Sequence, residues 1–385
     1  MKILVVMPHF YPATVYGGPI ISSYNTCQEL AKLGHEVFVS TTNVNQNTKL
    51  DIETNVNIKI SDNFNIKYYE ETIANRFSCQ MVRRLWSDIK SVDVVHIQYI
   101  FNYCTLVALY YAVLQRKKII LSPRGCLGEW CLNQGSRLKK IWNKIFIRPC
   151  AKKILWHATS EQEKFEIVKV FGKVPVFISP NGIDNDEFQS AVVLEKQEII
   201  KKFIPSYPKS TYNKLIVSLG RLQKKKGYDI LIKAFSESLI KFPDSILIIA
   251  GPDEGEKESL IEIVSKKKLT DNVYIIDSLF GQDKVNFLAS ADVFAMPSHN
   301  ENFGNVYLES LAAGTPIIAS VFTPWKLVEK YECGKWVEVD ILEVSKALDE
   351  ILMVNREFLR QQSLICAEEF SWAKSAKLIS EAITS

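Results

Sequence analysis

The sequence predicts an α/β protein of two domains, each built on a parallel sheet. Three observations predict it. Short apolar runs such as Ile3-Leu4-Val5-Val6-Met7, Leu215-Ile216-Val217-Ser218-Leu219 and Ile246-Leu247-Ile248-Ile249-Ala250 read as strands buried on both faces. Stretches with helical periodicity, the first from Ile20 to Leu33, alternate with them, and that alternation requires a parallel sheet covered on both sides. The 385 residues are 47% hydrophobic and 23% charged, enough for two cores, and a charged, irregular stretch over 185–213, with Pro205 and Pro208 near its end, reads as the linker.

Composition excludes several function classes. A formal net charge of +4 is too mild for a dedicated nucleic-acid binder. The eight cysteines are scattered without a C-x-x-C pair, which argues for free thiols in a reducing compartment and against a zinc site or disulfide frame. The apolar start is stopped by Pro8, too early for a signal-peptide core, and no apolar run approaches the roughly 18 residues of a membrane span. The expectation is a soluble or peripheral, cytoplasmic protein.

The first strand, residues 3–7, enters a turn-rich loop from Pro8 to Pro19, with Gly17 and Gly18 before the helix that Gly34 closes. His35-Glu36-Val37-Phe38-Val39 starts the next strand. Strand, glycine loop, helix and strand make a nucleotide-binding type of unit, but G-x-G-x-x-G, the fingerprint a nicotinamide-dependent oxidoreductase would need, is absent. Residues 41–75 are polar, with weak strand signals at 56–60 and 66–69. The strand Val92–Ile97 and the run Ile119–Ser122 end near His96 and Arg124. Ligands bind at the carboxyl ends of such strands. His96 could meet a substrate hydroxyl or be a satisfied strand-end histidine. Arg124 could fork onto a phosphate or form a surface salt bridge.

Between Glu129 and Glu161 there is no acidic residue. Trp130, Arg137, Lys140, Trp142 and Lys144 belong to a basic, aromatic segment whose apolar positions 138, 141, 142, 145 and 146 share one helical face. That pattern reads either as contact with an anionic membrane surface or as a core helix with a basic back. Residues 76–90, with Arg76, Phe77, Arg83, Arg84, Trp86 and Lys90, add a weaker basic patch. The first half closes with a strand over 154–159, a helix from Glu161, and Val174–Ile178 running into Ser179-Pro180-Asn181-Gly182-Ile183-Asp184, where Asn181-Gly182 makes a tight turn.

In the second half, Leu215–Leu219 leads into Gly220-Arg221 and then Lys224-Lys225-Lys226-Gly227. Ile246–Pro252 is a strand into a glycine turn, and Val273–Ile276 is another strand, followed by Asp277. The apolar run over 291–296 then enters Pro297-Ser298-His299-Asn300-Glu301-Asn302-Phe303-Gly304-Asn305-Val306-Tyr307-Leu308-Glu309. A glycine at a helix start lets a ligand approach free backbone N–H groups, where the helix dipole favours an anion. The carboxylates Glu301 and Glu309 on either side suit hydroxyls. The pocket they describe fits a diphosphate with sugar hydroxyls at both ends, a nucleotide sugar. An acidic helix over 340–352 and a last helix from about Ser371 end the chain.

Glu-x7-Glu with Pro-Ser before it, Phe-Gly inside it and Gly314-Thr315-Pro316-Ile317-Ile318-Ala319 after it resembles the donor signature of retaining glycosyltransferases of family 4. Gly220-Arg221 with Lys226-Gly227, and Pro180-Asn181-Gly182-Ile183-Asp184, are similar to that family's other motifs. The resemblance implies the GT-B fold: two Rossmann-like domains facing each other across a cleft, an acceptor domain over 1–184, a donor domain over 185–370, and a helix, 371–385, returning to the first. It implies that Arg221 and Lys226 clasp the departing diphosphate, that Glu301 orients the sugar, and that Glu309 holds the ribose. Gly17, Gly18, Asn302, Phe303, Gly304 and Asn305 would line the donor site, and His96, Arg124 and Asn181 the sugar or acceptor. Arg124 stands where many members carry a histidine. No cofactor and no metal is implied. Asp184-Asn185-Asp186, a D-x-D of the kind that holds metal in another glycosyltransferase class, follows no suitable strand and reads as chance.

Ser122-Pro123-Arg124-Gly125, Thr323-Pro324-Trp325 and Cys333-Gly334-Lys335-Trp336 resemble a branch acting on bacterial surface polysaccharides. That branch implies a lipid-linked or lipopolysaccharide saccharide acceptor at the inner face of the membrane. A nucleotide-sugar epimerase of the same fold and a non-catalytic nucleotide-sugar-binding protein are the alternatives.

Overall fold

The computed structural model describes residues 1–72, 77–133, 136–184, 187–188, 190–204 and 212–385. Arg76 of the weaker basic patch, Asn185 and Asp186 of the D-x-D, and Pro205 and Pro208 lie outside the described residues. The chain forms two compact units, Met1–Gly182 with Trp372–Ser385, and Ile183–Ser371.

The first unit is built on strands β1 (Lys2–Val6), β2 (Glu36–Thr42), β5 (Asn57–Ser61), β6 (Phe64–Tyr69), β7 (Val94–Gln98), β8 (Lys118–Ser122), β9 (Ile154–Ala158) and β10 (Val176–Ile178), with a small hairpin of β3 (Val44–Asn45) and β4 (Thr48–Lys49) beside them. The sheet order is β10-β9-β8-β7-β1-β2-β6-β5. Its described ladders are parallel except the one between β5 and β6. Successive side chains of a strand point to opposite faces, and here both faces are buried. Leu4 and Val6 join Val95, Ile97, Leu121 and Trp156 in one core. Ile3 and Val5 join Val37, Val39 and Ile120 in the other, which Ala376, Ile379 and Ile383 of the last helix, Trp372–Thr384, complete. That helix is also tied down by Lys118 Nζ, which donates to the Ile383 carbonyl at 2.9 Å, and by a 2.8 Å bond between His35 Nε2 and Ser380 Oγ.

The second unit has strands β11 (Lys214–Leu219), β12 (Ser245–Ala250), β13 (Val273–Ile276), β14 (Val293–Met296), β15 (Ile317–Ser320) and β16 (Gly334–Val337), all parallel in the order β13-β12-β11-β14-β15-β16. The continuous apolar runs noted in the sequence are its central strands, and β12 and β14 are buried along their whole length.

The basic aromatic segment is not one helix. A short helix, Ser136–Trp142, passes into a π turn, Asn143–Ile147, and then a 3₁₀ stretch, Arg148–Lys153, with Pro149 in its first turn. Its apolar face does not pack into the core as a core helix would. Leu138, Ile141 and Ile145 are 72%, 48% and 54% exposed. Trp142 is half-buried and donates its indole N–H to the Ile100 carbonyl at 3.0 Å. No helix among the described residues is long and apolar enough to cross a membrane.

Candidate active site

In an open parallel sheet, a ligand sits at the carboxyl ends of the strands where the order reverses, because the loops there part to either side. In the second unit that point lies between β11 and β14, which pair directly through Ile216–Val293 and Val217–Phe294. The loop after β11 carries Gly220, Arg221 and the three lysines. The loop after β14 carries Pro297 to Gly304. Sequence segments some seventy residues apart are thus brought to one place by topology, and the His299 N–H donating to the Lys225 carbonyl at 2.8 Å joins the two loops.

The central contact is an ion pair between Lys226 Nζ and Glu301 Oε1 at 2.6 Å, with side chains only 12% and 13% exposed. Burial pushes the Glu301 carboxyl up, but Lys226, Lys225 and Arg221 outweigh it and hold it below the usual glutamate range. Glu301 is therefore ionised and positioned. Each of the three lysines has its own place: Lys224 pairs with Asp229 at 2.9 Å, Lys225 offers its carbonyl to His299, and Lys226 meets Glu301. Arg221 is half exposed and rests on Glu254 at 3.1 Å, a carboxylate that also accepts from Gln223.

Gly304 sits at the N-terminus of the helix Asn305–Ala312 with φ of 72°. A Cβ there would lie 2.6 Å from the Tyr307 ring, so glycine is required twice over, by conformation and by space. The Tyr307 hydroxyl donates to the Met296 carbonyl at 2.5 Å and fixes the helix start to the end of β14. The first N–H groups of this helix lack intrahelical partners by construction and form an anion-favouring end. Glu309, further along the helix, pairs with Lys284 at 3.2 Å, each side chain about one-fifth exposed (19% and 20%).

One expectation for this loop changes. Phe303 is buried in an aromatic cluster with Trp325 and Phe370, ring centroids 5.2 and 5.8 Å away, and its carbonyl accepts from the Trp325 indole at 2.6 Å. It anchors the loop and offers no side chain to a donor. Asn302 keeps a buried Oδ1 with no hydrogen-bond partner, a polar atom available to a ligand. Asn305 is the first residue of the helix. Two residues of this unit were missed by the sequence reading: Lys284, on the helix Gly281–Ser290, and Glu254, after β12. Neither lies in a motif, and only the fold brings them to Glu309 and Arg221.

In the first unit the order reverses between β1 and β7. Gly17, with φ of 85°, caps the helix Gly18–Lys32, and an added Cβ would meet nothing within 4 Å. His9 stacks on Tyr16 at 3.7 Å and has a buried, unpartnered Nδ1. Burial lowers its pKa to about 4, so its ring is neutral. The sequence reading missed His9, because an isolated histidine in a loop carries no pattern.

His96, expected near a substrate hydroxyl, is 1% exposed and belongs to the interior. Its Nε2 bonds Ser122 Oγ at 2.8 Å and the Gln98 amide at 3.0 Å, Ser122 Oγ bonds His157 Nδ1 at 2.7 Å, and His157 Nε2 bonds the Ser179 carbonyl at 3.0 Å. Burial, then the neighbouring His157 and Arg124, push the His96 pKa well down. Arg124 is 9% exposed, and its Nε and Nη1 donate to Gln98 Oε1 at 2.8 Å and Asn181 Oδ1 at 3.1 Å. It is not a surface salt bridge; the structure joins Arg124, Asn181 and His96 in one buried network.

On the segment after β8, Arg137, Lys140 and Lys144 are exposed beside Leu138, Ile141 and Ile145, and Trp130 is half-buried. No group of three or more His, Cys, Asp or Glu side chains among the described residues could hold a metal ion.

Comparison with known proteins defines the class. The model of the family "Glycosyltransferase Family 4" matches residues 16–187, and that of "Glycosyl transferases group 1" matches 199–363. Sucrose-phosphate synthase from Thermosynechococcus elongatus superposes with a TM-score of 0.75 at 18% identity, over 100% of this chain and 98% of that one. Anabaena HepE, in complex with UDP and glucose, superposes with a TM-score of 0.74 at 15% identity over the whole of both chains. The fold is GT-B, two Rossmann-like α/β domains, and the two family models that match, one over each half of the chain, are both glycosyltransferase models. Among curated proteins, a stretch of 214 residues is 32% identical to the "GDP-mannose-dependent monoacylated alpha-(1-6)-phosphatidylinositol monomannoside mannosyltransferase" of Corynebacterium glutamicum, covering 52% of each. The chain spans about half the length of the curated relatives it matches. That relative's name describes glycolipid synthesis, so the surface-polysaccharide branch suggested by the sequence is not supported by it.

Proposed function

We propose that the chain is a retaining, metal-independent glycosyltransferase that moves a hexose from a nucleotide diphosphate sugar to a lipid-linked saccharide or polyol acceptor. The observation that carries this reading is the part-buried Lys226–Glu301 pair set against the glycine-capped helix at the switch point of the second unit. Breaking the sugar–phosphate bond leaves negative charge on the diphosphate. Lys226, Arg221 and the amides at Gly304 are donors already oriented to receive it. Glu301, ionised and held by Lys226, accepts hydrogen bonds from sugar hydroxyls. Glu309 does the same for the ribose. No side chain stands out as a nucleophile, so the acceptor oxygen attacks on the face the diphosphate leaves, and its proton passes to the departing phosphate.

The acceptor reading combines two supports. The corynebacterial relative is named for a phosphatidylinositol mannoside, and the sequence resembles enzymes of surface polysaccharides; both acceptors are carried by lipid. The exposed Leu138, Ile141 and Ile145 with Arg137, Lys140 and Lys144 form the face that would rest on an anionic leaflet at the inner side of the membrane, with Trp130 and Trp142 at its edge.

The test is transfer from radiolabelled UDP-, GDP- and ADP-sugars to lipid extracts, with EDTA present. Product with an unchanged anomeric configuration is expected, and inverted product or dependence on a divalent metal would overturn the mechanism. Sedimentation with liposomes should require anionic lipid, and equal binding to neutral liposomes would remove the membrane role of the basic face.

A further inference from the structure

Buried polar atoms nearly always have a hydrogen-bond partner, so a cluster of them without one calls for a reason. The first unit holds such a cluster among its described residues. His9 Nδ1, Thr41 Oγ1, Asn45 Oδ1 and Glu71 Oε1 are buried and unpartnered. Their places in the fold coincide. His9 follows β1, Thr41 lies at the end of β2, Asn45 is in the hairpin after it, and Glu71 follows β6. β1, β2 and β6 are neighbours in the sheet and run parallel, so their carboxyl ends lie together. The loops there are bonded to one another. The Thr42 hydroxyl donates to the Pro8 carbonyl at 2.7 Å, and the Glu71 N–H donates to Asn43 Oδ1 at 3.0 Å. The Gln46 N–H donates to the Tyr16 hydroxyl at 2.7 Å, and the Tyr16 ring holds His9 by stacking. With adjacent strands about 4.8 Å apart, the ends of β1 and β6 are separated by roughly 10 Å, a gap that one sugar ring and its hydroxyls can bridge.

Glu71 is the charged member of the cluster. It is 3% exposed and forms no ion pair among the described residues; Lys49 of the hairpin pairs with Glu70 instead, at 3.1 Å. Burial pushes the Glu71 carboxyl up, as befits an acid short of donors. None of the four residues is a cation, since the His9 ring is neutral. A carboxylate accepts hydrogen bonds and repels a phosphate. We propose that the carboxyl ends of β1, β2 and β6 bind a sugar ring of the acceptor, with Glu71 accepting from its hydroxyls and His9 bonding another, so that the acceptor enters by an uncharged sugar and keeps any phosphate elsewhere. This rests on the transferase reading, in which the first unit takes the acceptor.

The experiment uses the whole chain without nucleotide. Saturation-transfer NMR titrations compare the methyl α-glycosides of glucose, galactose, mannose and N-acetylglucosamine with the 6-phosphates of the same sugars. At least one glycoside is expected to bind, and more tightly than its sugar phosphate. Glu71→Gln keeps the shape and removes the charge. It should weaken that glycoside about tenfold, the difference between a charged and a neutral acceptor, and narrow the gap to the phosphate. Its melting temperature should stay level or rise, because a buried, unpaired charge is gone. No bound glycoside, tighter binding of the phosphate, or equal glycoside affinity in Glu71→Gln would each overturn the proposal. So would a clear fall in the melting temperature of Glu71→Gln, which would make Glu71 a structural acid. Nucleotides are titrated separately. If they bind and glycosides do not, this site falls and the transferase reading stands; glycosides bound by a chain that takes no nucleotide would leave the site and remove the transferase.

Discussion

At the switch point of the second unit, part-buried charge is met by opposite charge: Lys226 by Glu301 and Lys284 by Glu309. In the first unit, Arg124 donates to neutral groups, the Gln98 and Asn181 side chains, while the buried Glu163 carboxylate favours its charge from beyond ion-pair distance, and behind Gln98 stand His96, Ser122 and His157, linked by hydrogen bonds. The difference teaches which site can take a further partner. A lysine held by a carboxylate keeps further ammonium hydrogens, which can meet a phosphate without giving up the carboxylate. A neutral network whose members satisfy each other gains little by opening, and each broken bond leaves an unpaired buried group costing about 1–3 kcal/mol. The second unit is poised to take an anion, and the network of the first is a scaffold that orients Arg124.

The sharpest break of this contrast is charge removal in the second unit. Lys226→Ala and Arg221→Ala should each lower turnover by about 10²–10³. Only Lys226→Ala should also lower stability, by about 3–5 kcal/mol, because it strands Glu301 in the interior. Arg221 and Glu254 are half and one-third exposed (50% and 36%), and losing such a pair costs at most about 1 kcal/mol. Steady-state kinetics and urea unfolding check both. Normal turnover in either variant removes that residue from the role.

A smaller effect compares the two helix-capping glycines. Gly304→Ala meets the Tyr307 ring at 2.6 Å and a positive φ, whereas Gly17→Ala meets the positive φ alone. The first should cost several kcal/mol in melting experiments and the second about 1–2 kcal/mol. Equal losses would mean that the Tyr307 contact is readily relieved.

The smallest effect is the pH dependence of the neutral network. Unfolded histidine titrates near 6.5, while His157 in the fold is lowered to about 3, by burial and then by Arg124. Between those values the unfolded chain binds more protons, so stability falls as pH drops from 6.5 towards 3, by roughly 1 kcal/mol per pH unit for each such histidine. His157→Gln should make that slope shallower in urea titrations at pH 7, 6 and 5. An unchanged slope would mean that His157 is not held neutral.

Most of the fold was legible. Runs such as Ile246–Ala250, short, rich in isoleucine and ended by Gly251-Pro252, read as strands buried on both faces, and helices recur between them. Arg221, Lys226, Glu301 and Glu309 were legible because they lie in stretches whose spacing survives in the linear chain. Lys284 and Glu254 were not, since each reaches its partner through the sheet and not through the sequence. His96 was left open between two readings for a related reason: a histidine near a strand end looks the same whether its ring faces solvent or a neighbouring strand, and its bonds to Ser122 and Gln98 make it the satisfied strand-end histidine. Phe303 was read as a ligand contact because its motif is, whereas its ring fills the cluster around Trp325.

The central claim, an anion-accepting nucleotide-sugar site in the second unit, is tested most directly by thermal shift with UDP, GDP, CDP and ADP and their sugar conjugates in EDTA. A ligand at 100 times its dissociation constant stabilises the fold by about 2.7 kcal/mol. The account predicts that one nucleotide family raises the melting temperature, and that Arg221→Ala, which folds normally, abolishes most of the rise. No rise with any nucleotide, or an equal rise in Arg221→Ala, would contradict it.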